Sequence, residues 1–325
     1  MKDNPILSFQ QSNAMKAIAM LLIILGHNHI ISSQNGCSSL FEYLYRFHVS
    51  IFFFLPFFYG KTDKINKQNI SKILIRNGVP YFMIFCFSYI VYNLIIKHNE
   101  FNIVNFLGGF TNFPGYDLKS TIGFTFPWFL PVFMLMSIYK IIGNNYKWAK
   151  WALFAIGLII CISSKAYIIM RHSPFYILKA IYYYAMGLSM YLLYKNIKHI
   201  NYLGCIAFIV LSILFWTNVY KANTFYFSLS GFCVIKEITS HINFSRIPFI
   251  DLIGKYSLPI YLIHVFISNT LERILPHSFI YGITIYLITI ILSIFISITI
   301  YKFETVRSFI FPKSWNDWIC SFKKK

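Results

Sequence analysis

Charge is what this chain has least of. Only 12% of its 325 residues are Asp, Glu, Lys or Arg, about half the fraction usual in a soluble domain. With 57% hydrophobic and 20% aromatic content, a soluble globular reading is excluded and a polytopic membrane protein remains. Acidic residues are the scarcest, 10 against 29 Lys and Arg, for a net charge of +19. That excess raises the question of a nucleic-acid partner. The basic residues, however, come in short clusters between apolar runs and not along one basic face, so no nucleic-acid partner is expected. Cysteine is sparse and unpatterned. Cys37, Cys86, Cys161, Cys205, Cys233 and Cys320 show no C-x-x-C spacing and most sit in apolar runs, so they read as small buried hydrophobes, with neither a disulfide framework nor a metal expected. A small-residue cleavage pattern is also missing after the first apolar run, which is therefore kept as a span and not as a cleaved signal. No repeat of 20 to 50 residues and no boundary to a second domain are visible, so residues 1–325 are expected to form one helical domain.

What the chain has in abundance is stretches long enough to cross a hydrocarbon core of about 30 Å. About ten fall at 14–31, 47–60, 79–97, 128–142, 149–166, 174–194, 202–220, 223–241, 257–275 and 279–301; the second is short and the break between the seventh and eighth is tight, so nine spans are the alternative. With the N-terminus inside, 20 Lys and Arg fall in inner segments, 7 in outer loops, and Lys179 and Lys236 within spans. This positive-inside bias puts both termini in the cytoplasm. The longest outer loop, 98–127, holds Gly108, Gly109, Pro114, Gly115, Gly123 and Pro127 among aromatics and reads as a folded re-entrant or lid segment more than a tether.

Polar residues inside the spans are few, and ionisable groups there are site candidates. In AMKAIAMLLIILGHNHII, from Ala14, Lys16 and His27 are eleven residues apart; on a helix that is about three turns and about 16 Å, on one face. His48, in RFHVSIFFF, enters the second span from outside at a similar height, so the two imidazoles could share a cavity. An imidazole titrates near neutral pH and can take a proton from a hydroxyl and return it to a leaving group. The bland alternative is that each His only bonds a neighbouring helix. Lys72 and Arg76, four apart in SKILIRNGVPYF, face one way on a helix leading into the third span. There they suit a phosphate-rich cytosolic ligand, or else only lipid headgroups. Trp128 and Pro131 in PWFLPVF mark a membrane entry of aromatic-belt type. GKYSLPIYLIH places Tyr261 and His264 one turn apart, with a satisfied buried His as the alternative.

These stretches, in this order, resemble the acyltransferase-3 family of bacterial inner-membrane acyltransferases, the sugar O-acetylases in particular. AMKAIAMLLIILGH is similar to its first helix, RFHVSIFFFLPFFYG to its His and Phe-rich second, SKILIRNGVPYF to its basic loop, and PWFLPVF and GKYSLPIYLIH to two further signatures. Lys16 stands where the family often has Arg, and Leu55-Pro56 where it commonly has Ser-Gly. The resemblance implies a ten-helix, multi-pass protein of the bacterial cytoplasmic membrane. It would move an acyl group, acetyl first, from cytosolic acyl-CoA to a hydroxyl of an O-antigen, capsule or exopolysaccharide. His27 would be the base, Lys16 its basic partner and His48 a further catalytic group. Lys72 and Arg76 would contact CoA phosphates, while Trp128, Tyr261 and His264 would line the substrate site and the outer loop would be a candidate lid. Partners would be a glycan or lipid-linked sugar and membrane lipids; homo-oligomerisation is left open. A polytopic transporter, flippase or polymerase of glycan precursors is the alternative, and it predicts no dependence on CoA.

Overall fold

Helices begin where the chain offers a polar side chain to the free amide groups of a first turn. Ser8 Oγ accepts from Gln11 N at 3.1 Å, Asn66 Oδ1 from Asn69 N at 2.7 Å and Asn102 Oδ1 from Asn105 N at 2.9 Å, each at the start of a helix. The structure is a computed structural model and describes residues 6–33, 38–59, 64–163, 166, 173–217, 223–242 and 244–323. Cys37 and the basic residues Lys2, Lys61, Lys165, Arg171, Lys221, Lys324 and Lys325 lie outside the described residues.

In chain order the helices are α1 (Phe9–His27), α2 (His29–Ser33), α3 (Ser38–Tyr45), α4 (Ser50–Phe58), α5 (Lys67–Tyr89, extended by a π-helical stretch Ile90–Ile96), α6 (Ile103–Thr111), α7 (Leu118–Ile122), α8 (Phe129–Asn145) and α9 (Lys147–Ile162). They continue with α10 (Ile177–Asn196), α11 (Ile200–Trp216), α12 (Thr224–His241), α13 (Pro248–Lys255), α14 (Ser257–Ile274), α15 (Phe279–Lys302), α16 (Glu304–Ile310) and α17 (Trp315–Lys323). No strand occurs among the described residues, as expected of a helical membrane protein, whose backbone polar groups must be satisfied within each segment.

Each stretch expected as a span holds a helix, but among the described residues length and apolarity single out fewer. Lys67–Ile96, Phe126–Asn145 and Phe279–Lys302 are long and apolar enough to cross a membrane, and α13 with α14, bent by 90° at their junction, makes a fourth if taken together. The short second stretch is shorter still in the structure. Its first residues form a turn, and α4 has nine residues, a rise of about 14 Å. The third begins earlier than expected, at Lys67, so Pro80 lies inside α5 and not at its start.

The chain divides into two compact units, residues 1–60 with 187–299 and residues 61–186 with 300–325. In the first, α1 forms the centre, with Met15, Ala17, Ala19 and Met20 fully buried. α13 crosses it so closely that a Cβ on Gly254 would stand 2.2 Å from the Asn13 carbonyl oxygen, which only glycine avoids. Asn13 fastens the crossing by donating from Nδ2 to the Asp251 carboxylate at 2.7 Å. α4 meets α12 through Phe54, Phe58 and Phe232 and through the Ser50 and Ser228 hydroxyls at 2.7 Å.

In the second unit the loop 98–127 is folded onto α5. Tyr81 Oη donates to the Phe110 carbonyl at 2.7 Å, Asn93 Nδ2 to the Thr121 carbonyl, and the rings of Phe85, Tyr89, Phe106 and Phe110 close the contact. α16 and α17 form a C-terminal hairpin locked by Arg307, whose Nη1 and Nη2 donate to the two Asp317 carboxylate oxygens at 2.8 and 3.0 Å. Among the cysteines expected to be buried, Cys161 and Cys233 are so, Cys86 and Cys205 are half-buried, and Cys320 is exposed.

Candidate active site

Lys16 and His27 ride on one unbroken helix, on one side and about 16 Å apart, but they keep different company. Lys16 is half-buried, and the carboxylate acting on its charge is Asp251 of α13. His27 is the last residue of α1. The helix stops there because Asn28 takes over: its N–H bonds back to the Leu25 carbonyl at 3.2 Å. Its side-chain oxygen accepts from Ile31 N at 3.0 Å, capping α2, and its Nδ2 donates to the Gly282 carbonyl at 2.7 Å. A helix end pinned at three points holds the His27 ring in a defined place.

Three other rings gather there. Tyr45 Oη lies 3.0 Å from His27 Nε2. The His264 ring is centred 5.2 Å from that of His27, and the Tyr45 ring meets His48 edge-on at 4.9 Å. His48 and His264 are fully buried and oriented by the same local device. His48 Nδ1 bonds the Leu44 carbonyl and His264 Nδ1 the Ile260 carbonyl at 3.2 Å, each four residues back. A carbonyl only accepts, so Nδ1 carries the proton and a neutral ring presents Nε2 as an acceptor. His48 Nε2 is buried with no hydrogen-bond partner among the described residues, an arrangement that costs about 1–3 kcal/mol. Tyr261 sits beside His264 with ring centres 5.8 Å apart.

The structure therefore brings together His27, His48, His264 and Tyr261, and it links His27 to His48 through a residue that sequence reasoning missed. Tyr45 lies in a segment read as outer loop. The available signal was its place one turn ahead of His48, in a short aromatic helix and not a tether. Lys16 is not part of this group of rings.

Lys72, Arg76 and Trp128 belong to the other unit. Lys72 and Arg76 stand exposed, one turn apart on α5. Arg76 Nε donates to the Lys313 carbonyl at 3.2 Å, and its two Nη groups have no protein partner among the described residues. A guanidinium tethered at Nε presents its Nη pair as a fork for an anion. Trp128 precedes α8, stacks on Tyr183 at 5.9 Å with an interplanar angle of 17°, and has Lys179 Nζ 3.4 Å from its ring centre, a cation–π contact. No group of three or more His, Cys, Asp or Glu among the described residues is placed to hold a metal ion.

A ring-enclosed imidazole at a helix end can act as a base or a nucleophile, and an exposed Lys–Arg pair can hold a phosphate. A family model described as an acyltransferase domain matches residues 9–302, nearly the whole chain and all of these residues. Comparison with the curated proteins finds no match, and comparison with the solved structures finds none.

Proposed function

The chain belongs to the acyltransferase-3 family, and from that premise we propose that this membrane acyltransferase moves an acetyl group from cytosolic acetyl-CoA to a hydroxyl of an envelope or surface glycan. In this reading it is a multi-pass protein of the bacterial cytoplasmic membrane with about ten spans and both termini inside. The observation that carries it is the 3.0 Å contact between His27 Nε2 and Tyr45 Oη. The tyrosine oxygen stands where an acceptor oxygen must stand for His27 to take its proton. His48 and His264 wall this position with oriented neutral rings, and Tyr261 lies at its edge.

The chemistry balances in a few steps. His27 takes the proton of the acceptor hydroxyl, whose oxygen attacks the thioester carbonyl. The C–S bond then breaks, and the CoA thiolate receives the proton from the imidazolium. A route in which His27 first carries the acyl group uses the same atoms in two stages. Lys72 and Arg76 hold phosphates of the donor, Arg76 through its Nη fork. Lys16 keeps a positive charge lower on α1 and acts on His27 only at long range. Trp128, with Lys179 Nζ over its ring, is a further substrate contact in this reading.

The test is transfer of label from acetyl-CoA by the purified protein to glycan isolated from cells lacking the gene. Wild type transfers label and His27→Ala does not, while remaining in the membrane. Normal acetylation by the alanine variant would sink the assignment of His27, and label transfer by neither protein would sink acetyl-CoA as the donor.

A further inference from the structure

α14 carries polar side chains toward its C-terminal end, of which the steps above use only His264. His264, Ser268 and Glu272 follow at four-residue spacing, each step turning about 40° and rising about 6 Å, so they form a slanting stripe on one side of the helix. Ser268 is buried, and its Oγ donates to Glu272 Oε1 at 3.2 Å. The same oxygen accepts the backbone N–H of His29 at 2.9 Å. His29 is two residues beyond His27, about 7 Å of chain at most. His277 Nε2 contacts the Glu272 carbonyl at 3.0 Å. The carboxylate is thus fixed both to the helix that carries His264 and to the chain just past His27.

Glu272 is half-buried, yet none of the ion pairs among the described residues includes it, and its Oε2 accepts no hydrogen bond there. A carboxylate held in place by neutral donors, with no ion-pair partner among the described residues, presents its second oxygen in a fixed position. Asp317, by contrast, has Arg307 on both oxygens. Oε2 is free to accept from a ligand.

We propose that Glu272 is the acceptor-binding residue, accepting hydrogen bonds from hydroxyls of an uncharged sugar ring while a hydroxyl of the same or the adjoining ring meets His27. The inference rests on the reading of His27 as the base. The class of acceptor follows from charge: this carboxylate attracts O–H and N–H donors and repels a uronate or phosphate at its subsite. The short link from His27 to the amide that holds Glu272 lets one sugar residue reach both.

The test uses the full chain in lipid nanodiscs and, as acceptor, envelope glycan isolated from cells lacking the gene. Glu272→Ala is expected to raise the acceptor KM at least tenfold, leaving kcat and the KM for acetyl-CoA within twofold. Glu272→Gln keeps the size and one acceptor oxygen and raises the acceptor KM by a smaller factor; it stands in if the alanine variant does not fold. Retention of the same glycan by His27→Ala protein, with and without Glu272→Gln, reads binding with no donor and no turnover. If acetyl-CoA proves not to be the donor but retention still depends on Glu272, the donor reading fails and the acceptor site stands. An unchanged acceptor KM together with unchanged retention overturns the proposal, as does a fall in kcat alone.

Discussion

The rings around His27 and the cations on α5 are two polar regions of this apolar chain, and they are built in opposite ways. Around His27 the groups are enclosed: His48 and His264 are fully buried, each oriented by a carbonyl four residues back, and Tyr45 links His27 to His48. On α5 both cations are exposed, and the hydrogen bond to Lys313 at Arg76 Nε leaves the rest of that guanidinium open. Proton transfer demands a fixed distance and a ring of known orientation, which burial supplies. Holding a phosphate demands reachable charge, which burial would weaken by desolvation.

The two regions should therefore fail differently. His27→Ala is expected to lower kcat by about 10²–10⁴-fold, the usual worth of a general base, with the KM for acetyl-CoA little changed. Arg76→Ala should do the reverse, raising the donor KM by about 10–100-fold, as the loss of a charge-assisted bond of about 1.5–3 kcal/mol predicts, with kcat retained. Arg76→Lys should recover only part of that, because an ammonium lacks the fork. Steady-state kinetics on the four proteins, wild type included, decides the matter. A donor-KM effect at His27, or a pure kcat effect at Arg76, would break the division of labour.

Tyr45→Phe sharpens the enclosed side. It removes the hydroxyl that holds the acceptor's place at His27 Nε2 and keeps the ring against His48, so the acceptor KM should fall by up to about tenfold, matching release of a net bond of about 1–1.5 kcal/mol, with kcat and the donor KM unmoved. A loss of kcat by about tenfold would instead mean that Tyr45 orients the base and does not fill the place of the acceptor hydroxyl.

The helices were legible in the sequence because apolar length and capping residues are local signals. Lys72 and Arg76 were legible as a one-turn pair for the same reason: α5 is regular, and spacing alone sets its faces. Three features depended on tertiary contacts that spacing does not encode. Tyr45 reaches His27 only because Asn28 breaks the helix where it does. α14 begins with a 90° turn after α13, so the run from Gly254 to His264 is two helices and not one, and Gly254 serves the crossing over Asn13. Glu272 becomes part of the site through a backbone amide, a partner that no residue pattern announces. His27 and His48 meet through the intervening Tyr45 ring.

The smallest effect is expected at the support of the exposed side. The Lys313 carbonyl that tethers Arg76 belongs to the loop between α16 and α17, and Asp317 holds that loop by accepting Lys313 N at 2.7 Å and both Arg307 Nη groups. Burial by itself would raise the Asp317 pKa; hydrogen bonds from Arg307, Lys313 N–H and Ser308, with the Arg307 charge, outweigh it and lower the value to about 2. A carboxyl depressed on folding stabilises above its ordinary range and loses that contribution as pH falls through the folded value. Corrected for the intrinsic rate at each pH, hydrogen exchange in α16 and α17 should thus stay slow from neutrality to about pH 4 and speed up between about pH 4 and 2. Asp317→Asn should speed it near neutrality and approach wild type as pH falls to about 2, since it leaves buried Arg307 with only the Glu304 carboxylate at 3.9 Å, a local cost of about 3 kcal/mol. The donor KM of that variant should rise only about twofold, because the Arg76 tether it loosens is one exposed hydrogen bond of about 0.5 kcal/mol. A donor-KM rise as large as that of Arg76→Ala would mean that the hairpin itself, and not the cation on α5, meets the phosphates.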